Sequence, residues 1–108
     1  MLALLDIDKE ALDSTVEALE QKGVIVYGYN VDVTDEKKVK QVVKAVQREL
    51  GDIYMLVNNA GVVPCKPFME LSSQDVRRAV DVNALAHFWT VKAVLPSMLE
   101  DGRGKILT

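Results

Sequence analysis

Apolar residues in this chain fall into two alternating patterns, short unbroken runs and longer stretches at helical spacing. Leu2-Ala-Leu-Leu-Asp6 is a brief apolar run bounded by acids and predicts a strand. Asp8 is placed to cap the helix that follows, with Leu12, Val16 and Leu19 at helical spacing and Gly23 at its end. Val24-Ile-Val-Tyr27 begins a second strand, rich in β-branched and aromatic residues. Thr34 is the expected cap of the next helix, whose Val39, Val42, Val43, Val46 and Leu50 share one face before Gly51 stops it. Ile53-Tyr-Met-Leu-Val57 predicts a third strand, and Asn58 to Leu71, with Gly61, Pro64 and Pro67, a loop. Ser72 or Ser73 starts a long helix with a predicted stripe of Val76, Val80, Ala84, Phe88, Val91, Leu95 and Met98. Gly102 and Gly104 break it before a last strand, Lys105 to Thr108.

Strands that alternate with helices of this length imply crossover connections and a parallel sheet, so the fold class is α/β. Ligands of such sheets sit beyond the carboxyl ends of the strands. Composition narrows the classes further. Of 108 residues 49% are hydrophobic and 27% charged, which is ordinary for a folded domain. One cysteine, Cys65, excludes a disulfide framework. A net charge of -3 is no signature of a nucleic-acid partner. The longest apolar stretch, Ala84 to Leu95, is interrupted by His87 and Lys92 and is too short to span a membrane.

The polar residues expected at strand ends are the candidates for chemistry. Asp6 can accept both hydroxyls of a ribose and repel a ribose phosphate, or serve as a simple helix-capping acid. Asp32, in Val31-Asp-Val33, can bond the edge of an adenine ring or favour the following helix dipole. Asn58-Asn59-Ala60-Gly61 allows a tight turn and close approach to a flat ligand, while its amides tie neighbouring strands; a plain Asn-rich turn is the alternative. Asn83 falls on or beside the predicted buried stripe, where its amide needs partners. Either it bonds its own helix, or it is an amide that binds a water or kinks the helix beside an active site. His87 reads as a packed helix histidine, Cys65 as a loop residue, and Phe88 and Trp89 as core or interface. Lys37, Lys40, Lys44 and Arg48 form a solvated face opposite the apolar one. His87 has no Cys, His or acid at metal-ligand spacing.

Taken together, Val31-Asp-Val33, Asn58-Asn-Ala-Gly61 and Asp81-Val-Asn83 resemble the short-chain dehydrogenase/reductase family over essentially the whole chain. His87-Phe-Trp-Thr-Val-Lys92, Leu95-Pro-Ser-Met98 and Asn59-Ala-Gly-Val-Val63 are similar to its hydroxysteroid and epidermal retinol dehydrogenases. The resemblance implies a partial Rossmann-type doubly wound parallel sheet, a single partial domain over residues 1–108. It implies that Asp6 binds the adenosine ribose and biases the site toward NAD, with NADP still open, and that Asp32 contacts the adenine. Asn58, Asn59 and Ala60 would support the adenine side and the central strands, and Gly61 would let the backbone pass close to the cofactor. Asn83 would help hold the proton-relay water. In the family a Tyr, a Lys four residues on and a Ser complete the catalytic set.

Here the chain departs from the pattern. It holds no G-x-G-x-x-G, and Tyr27, Tyr29 and Tyr54 lead four residues on to Val31, Val33 and Asn58 rather than to Lys. The expectation is an internal piece of a longer protein, lacking the first strand and the C-terminal third. The missing strand would lie between the one ending at Asp6 and the one ending at Asn58. The parent would be an oxidoreductase interconverting alcohol and carbonyl on a lipid-like substrate such as a steroid or retinoid, the isolated chain being inactive. A homodimer through the helix after Ser73 is expected. So is a place on the cytoplasmic side, with attachment to the endoplasmic reticulum membrane or a lipid droplet through a segment before Met1. Two alternatives remain at this point. One is a truncated non-catalytic partner of the full enzyme. The other is a receiver-like phosphoacceptor in which Asp6, Asp8 and Asp32 gather Mg²⁺.

Overall fold

The computed structural model describes residues 1–108. The elements run β1 (Leu2–Asp6), α1 (Lys9–Glu20), β2 (Val26–Asn30), α2 (Glu36–Leu50) and β3 (Met55–Val57). A 3₁₀ turn at Phe68–Glu70 interrupts the loop after β3, and α3 (Ser73–Val80), a π turn (Asp81–Leu85), α4 (Ala86–Glu100) and β4 (Lys105–Leu107) follow.

The caps explain the helix starts. Asp8 accepts from the Ala11 N–H at 3.0 Å, and Ser72 with Asp75 forms a reciprocal capping box. For α2 the expected cap is displaced by one residue: Asp35 accepts from Lys38 N–H at 3.1 Å. The Thr34 hydroxyl is spent instead on Asp32 Oδ1 at 2.7 Å. Gly51, at φ 89°, ends α2 in a backbone state that side-chain-bearing residues avoid.

β1 and β2 pair in parallel from Leu2↔Val26 to Asp6↔Asn30, and β3 and β4 from Met55↔Lys105 to Val57↔Leu107. No strand hydrogen bond joins the two pairs, so each of the four strands keeps one edge without a partner. Successive strand residues point to opposite faces, and β2 shows both. Gly28 lies under Leu12 and Val16 of α1, where a Cβ would come within 3.0–3.1 Å of them. Tyr29 points the other way, toward α2, and donates to Glu49 at 2.8 Å. This second face carries the core: Val31, Val39, Val43, Val94 and Met98, with Leu5 of β1 and Leu56 of β3 packed against it. α2 and α4 thus cover both strand pairs at once. The far face of β3–β4 is bare, with Met55, Val57 and Leu107 exposed.

The long helix buries a stripe that shares only Met98 with the predicted one. Val82, Ala86, Thr90, Val94 and Met98 face inward, while Val76, Val80, Ala84, Phe88 and Leu95 face solvent, Phe88 at 63% exposure. Both stripes step by three or four residues, so periodicity alone does not choose between them, and the π turn adds a residue that rotates α4 relative to α3.

The core is small for the chain. Only 11 of 108 residues are buried and the accessible surface is 7700 Å². A compact protein of 12.0 kDa shows about 6000 Å². The radius of gyration, 15.3 Å, likewise exceeds the ~13 Å of a compact chain this long.

Gly104 supplies a test of the packing. A Cβ there would stand 2.6 Å from Met98 Sδ and 2.9 Å from Met98 Cβ, and Met98 is itself core. Gly104→Ala is expected to destabilise the chain by about 1–3 kcal/mol. An unchanged urea midpoint would contradict the packing described.

Candidate functional site

The polar residues converge at the ends of the strands. The backbone carbonyl of Asp6, the last residue of β1, accepts from Val31 N–H at 2.9 Å and from Asn30 Nδ2 at 3.1 Å. Its side-chain Oδ1 accepts from Asp8 N–H at 2.8 Å, which fixes an exposed carboxylate at the strand end.

Asp32 is more heavily bonded. Its Oδ1 accepts from both the N–H and the hydroxyl of Thr34, at 2.9 and 2.7 Å. Its Oδ2 accepts from Arg78 Nη1 of α3 at 3.2 Å. Partial burial pushes the carboxyl's pKa up, yet the Thr34 bonds and the Arg78 guanidinium outweigh it and hold the group below the usual range.

Asn58 is a bolt between elements. Its N–H donates to Leu107 C=O at 2.8 Å, and its Oδ1 accepts from Thr90 Oγ at 2.6 Å. Its Nδ2 reaches Thr108 Oγ at 3.4 Å. Thr90 also stands near the carbonyls of Ala86 and His87, at 3.2 and 3.1 Å. A hydroxyl has one proton to give, so the shortest of the three bonds, the one to Asn58, is the main use of it. Asn59, Ala60 and Gly61 follow as exposed backbone. The fold does not require glycine at Gly61, contrary to the tight-turn expectation. Its φ is not positive, and a Cβ would meet only Asn83 Oδ1, at 3.5 Å.

Asn83 lies in the π turn. Its side chain is exposed, off the buried stripe, and does not bond its own helix. Both polar atoms are spent on Val62: Oδ1 accepts from its N–H and Nδ2 donates to its C=O, each at 2.8 Å. The amide pins the loop after β3 in the manner of a paired strand. The helix is irregular around it, since Asp81–Leu85 form a π turn that breaks the regular helical bonding. A third tie lies nearby, where Lys66 Nζ meets Asp75 Oδ2 at 2.9 Å. Three side chains of the α3–π segment therefore clasp the loop after β2 (Arg78) and the loop after β3 (Asp75, Asn83). The two strand pairs open their carboxyl ends on one side.

Arg78 and Thr90 were not singled out by sequence. Thr90 carried a signal, a hydroxyl within an apolar helix; Arg78 carried none, since its partner lies 46 positions away. His87 is largely packed, and its Nε2 is buried with no hydrogen-bond partner. Cys65 is an exposed loop residue. Asp6, Asp8 and Asp32 do not gather as a cation site: Asp8 caps α1, Asp6 bonds Asp8 N–H, and Asp32 faces Thr34 and Arg78. The receiver-like alternative loses its pocket.

A parallel α/β fold with helices on both faces and its polar residues at the strand ends is the doubly wound, Rossmann-type class. The chain belongs to the short-chain dehydrogenase family, whose model matches residues 1–108. It is 37% identical over 107 residues to estradiol 17-beta-dehydrogenase 11 of Macaca fascicularis, covering 99% of this chain and 36% of that one. Among solved structures it is similar to an NAD⁺-bound xylitol dehydrogenase, with a TM-score of 0.90 and 36% identity over 96% of this chain and 40% of that one. It is also similar to an alcohol dehydrogenase of the archaeon Thermococcus sibiricus complexed with 5-hydroxy-NADP, with a TM-score of 0.84 and 30% identity over 96% and 45%. The chain thus spans little more than a third of the length of the curated relative it matches.

Two outcomes test this geometry. Asn83→Ala removes the acceptor of Val62 N–H, and hydrogen exchange at that amide is expected to quicken about tenfold; unchanged protection would refute the clasp. The second concerns acid. Lys66, then the Ser72 N–H and hydroxyl, hold the Asp75 carboxyl down from 3.8 to about 2. A depressed carboxyl stabilises the fold fully above its unfolded value and loses that contribution as pH falls to the folded one. The start of α3 is therefore expected to loosen between pH 3.8 and about 2, and Asp75→Asn to abolish that acid step in residue-resolved NMR.

Proposed function

We propose that this chain is the adenosine-side part of an NAD-dependent oxidoreductase that interconverts alcohol and carbonyl groups on a lipid-like substrate. The observation that carries the reading is Asp6, an exposed carboxylate held at the end of β1 by Asp8 N–H. An acceptor-only group fixed there suits the two hydroxyls of an adenosine ribose and disfavours a phosphate on either. The residues therefore fit NAD. Bound NAD supplies the hydride acceptor or donor. In this reading Asp6 orients the ribose, Asp32 takes the adenine edge, and exposed Asn59, Ala60 and Gly61 let the cofactor lie close to the backbone. Asn58, through Thr90 and Leu107, keeps that backbone in place. Asn83 holds Val62, and the π turn beside it is the feature that can present a helix carbonyl to a proton-relay water.

The steroid-dehydrogenase relative supports a lipid-like substrate. Its much greater length, the unpaired strand edges and the excess exposed surface support a chain that works within a longer protein. No Tyr here has a Lys four residues on, so the 108 residues alone are proposed to be catalytically inert.

In the longer protein, Asp6→Ala is expected to weaken NAD binding by roughly 10- to 100-fold, the value of hydrogen bonds to a charged group, and to narrow the preference over NADP. Unaltered cofactor affinity and preference in calorimetry would overturn the assignment. Steroid- or retinoid-dependent NADH formation by the isolated chain would overturn its inertness.

A further inference from the structure

Arg78 reaches into the strand-end set from α3. Isolated ion pairs on a surface contribute little, but this one is built differently. Arg78 departs from a helix anchored at one end by the Ser72–Asp75 capping box and the Lys66 pair, and at the other by Asn83 on Val62. Its target is only partly exposed, at 31% for the Asp32 side chain. The carboxylate's acceptor positions can be counted. Each oxygen offers two. Both on Oδ1 are taken by Thr34, and one on Oδ2 is taken by Arg78. One acceptor position on Oδ2 remains, and the carboxylate that carries it is held from the β2 side by Thr34 and from α3 by Arg78.

We propose that Arg78 is a positioning residue for base recognition: by fixing Asp32 Oδ2 from α3, it makes the site select a purine bearing an exocyclic amino group at its outer edge, adenine, over one bearing a carbonyl there, hypoxanthine. This rests on the reading that Asp32 meets the adenine. A carboxylate that only accepts is satisfied by an N–H and repelled by the lone pairs of a carbonyl, so selection follows from orientation and charge together. The depressed pKa of Asp32 keeps it ionised, and hence acceptor-only, throughout the neutral range. With Arg78 removed, Thr34 still holds Oδ1, but Oδ2 is free to turn toward water and the preference fades.

The test is titration of this chain with adenosine and, separately, inosine, followed by amide NMR at Thr34 and neighbouring residues. The wild type is expected to bind adenosine about tenfold more tightly. Arg78→Gln should bring the two affinities within about twofold, and Arg78→Lys, which keeps the charge without the planar fork, should recover part of the preference. The Asp32 carboxyl carbon, read across pH, should titrate higher in Arg78→Gln than in the wild type, as loss of the ion pair requires; the change in the adenosine-to-inosine ratio is the readout that a purely scaffolding role would not produce. If Arg78→Gln fails to fold, a full wild-type preference in Arg78→Lys overturns the proposal and a partial one supports it. A tenfold preference that survives in Arg78→Gln overturns the role of Arg78 while leaving the adenine reading intact. Equal binding, or none, by the wild type overturns the adenine reading and the role of Arg78 with it.

Discussion

Everything else in this structure depends on the packing of α2 against α4. The two strand pairs share no hydrogen bonds, so what holds them in one frame is a group of methyl-bearing side chains: Val39 and Val43 on one helix, Val94 and Met98 on the other. Val39 and Val94 are essentially inaccessible, at 0% and 1% exposure. Burying an aliphatic side chain of this size contributes roughly 1.5–3 kcal/mol, and two polar ties, Gln47 Nε2 to Ser97 Oγ at 2.9 Å and the exposed Lys92–Glu36 pair at 3.7 Å, also link the helices. Asp6 and Asp32 belong to the first strand pair and Asn58 to the second. The separation of these polar residues is therefore a property of an apolar contact some distance from them.

Above that layer the strand ends are tied by side chains standing in for backbone. Asn83 pairs with both peptide groups of Val62 as a neighbouring strand would, and Asn58 links β3 to Thr90 and to the end of β4. Amides suit this task because each carries a donor and an acceptor. Charged groups act at the margins, Arg78 on Asp32 and Lys66 on Asp75, where solvent screens them and geometry matters more than Coulomb energy.

Much of the fold was legible in the residues, for reasons that differ by element. β1, α1 and β3 follow from local runs and caps that need no tertiary information. Asp35 was missed as a cap because Thr34 and Asp35 are both good capping residues, and only the competing claim of Asp32 on the Thr34 hydroxyl decides between them. The buried stripe of the long helix was misread because Phe88 and Val80 look as apolar as Val94. Which of two equivalent stripes faces inward depends on where the helix docks and on the π turn before it. Asn83 was legible as an amide needing partners, but not that they would be Val62. Asp6 and Asp32 could be placed at strand ends from the pattern, whereas Arg78 becomes visible only once α3 is folded over the crevice.

The strand registers also bear on the order in which the molecule assembles. Leu2 and Val26 close a short β-α-β unit, while Met55 and Lys105 must find each other across roughly twice that separation. The entropic penalty of the longer closure is larger by only about 0.6 kcal/mol. Yet it cannot be offset until α2 and α4 have docked, since β3 and β4 are three residues each and bare on one side. A chain emerging from the ribosome would thus have its first strand pair in place before the second can form. The half bearing Asp6 and Asp32 serves as the template on which the remainder is laid down.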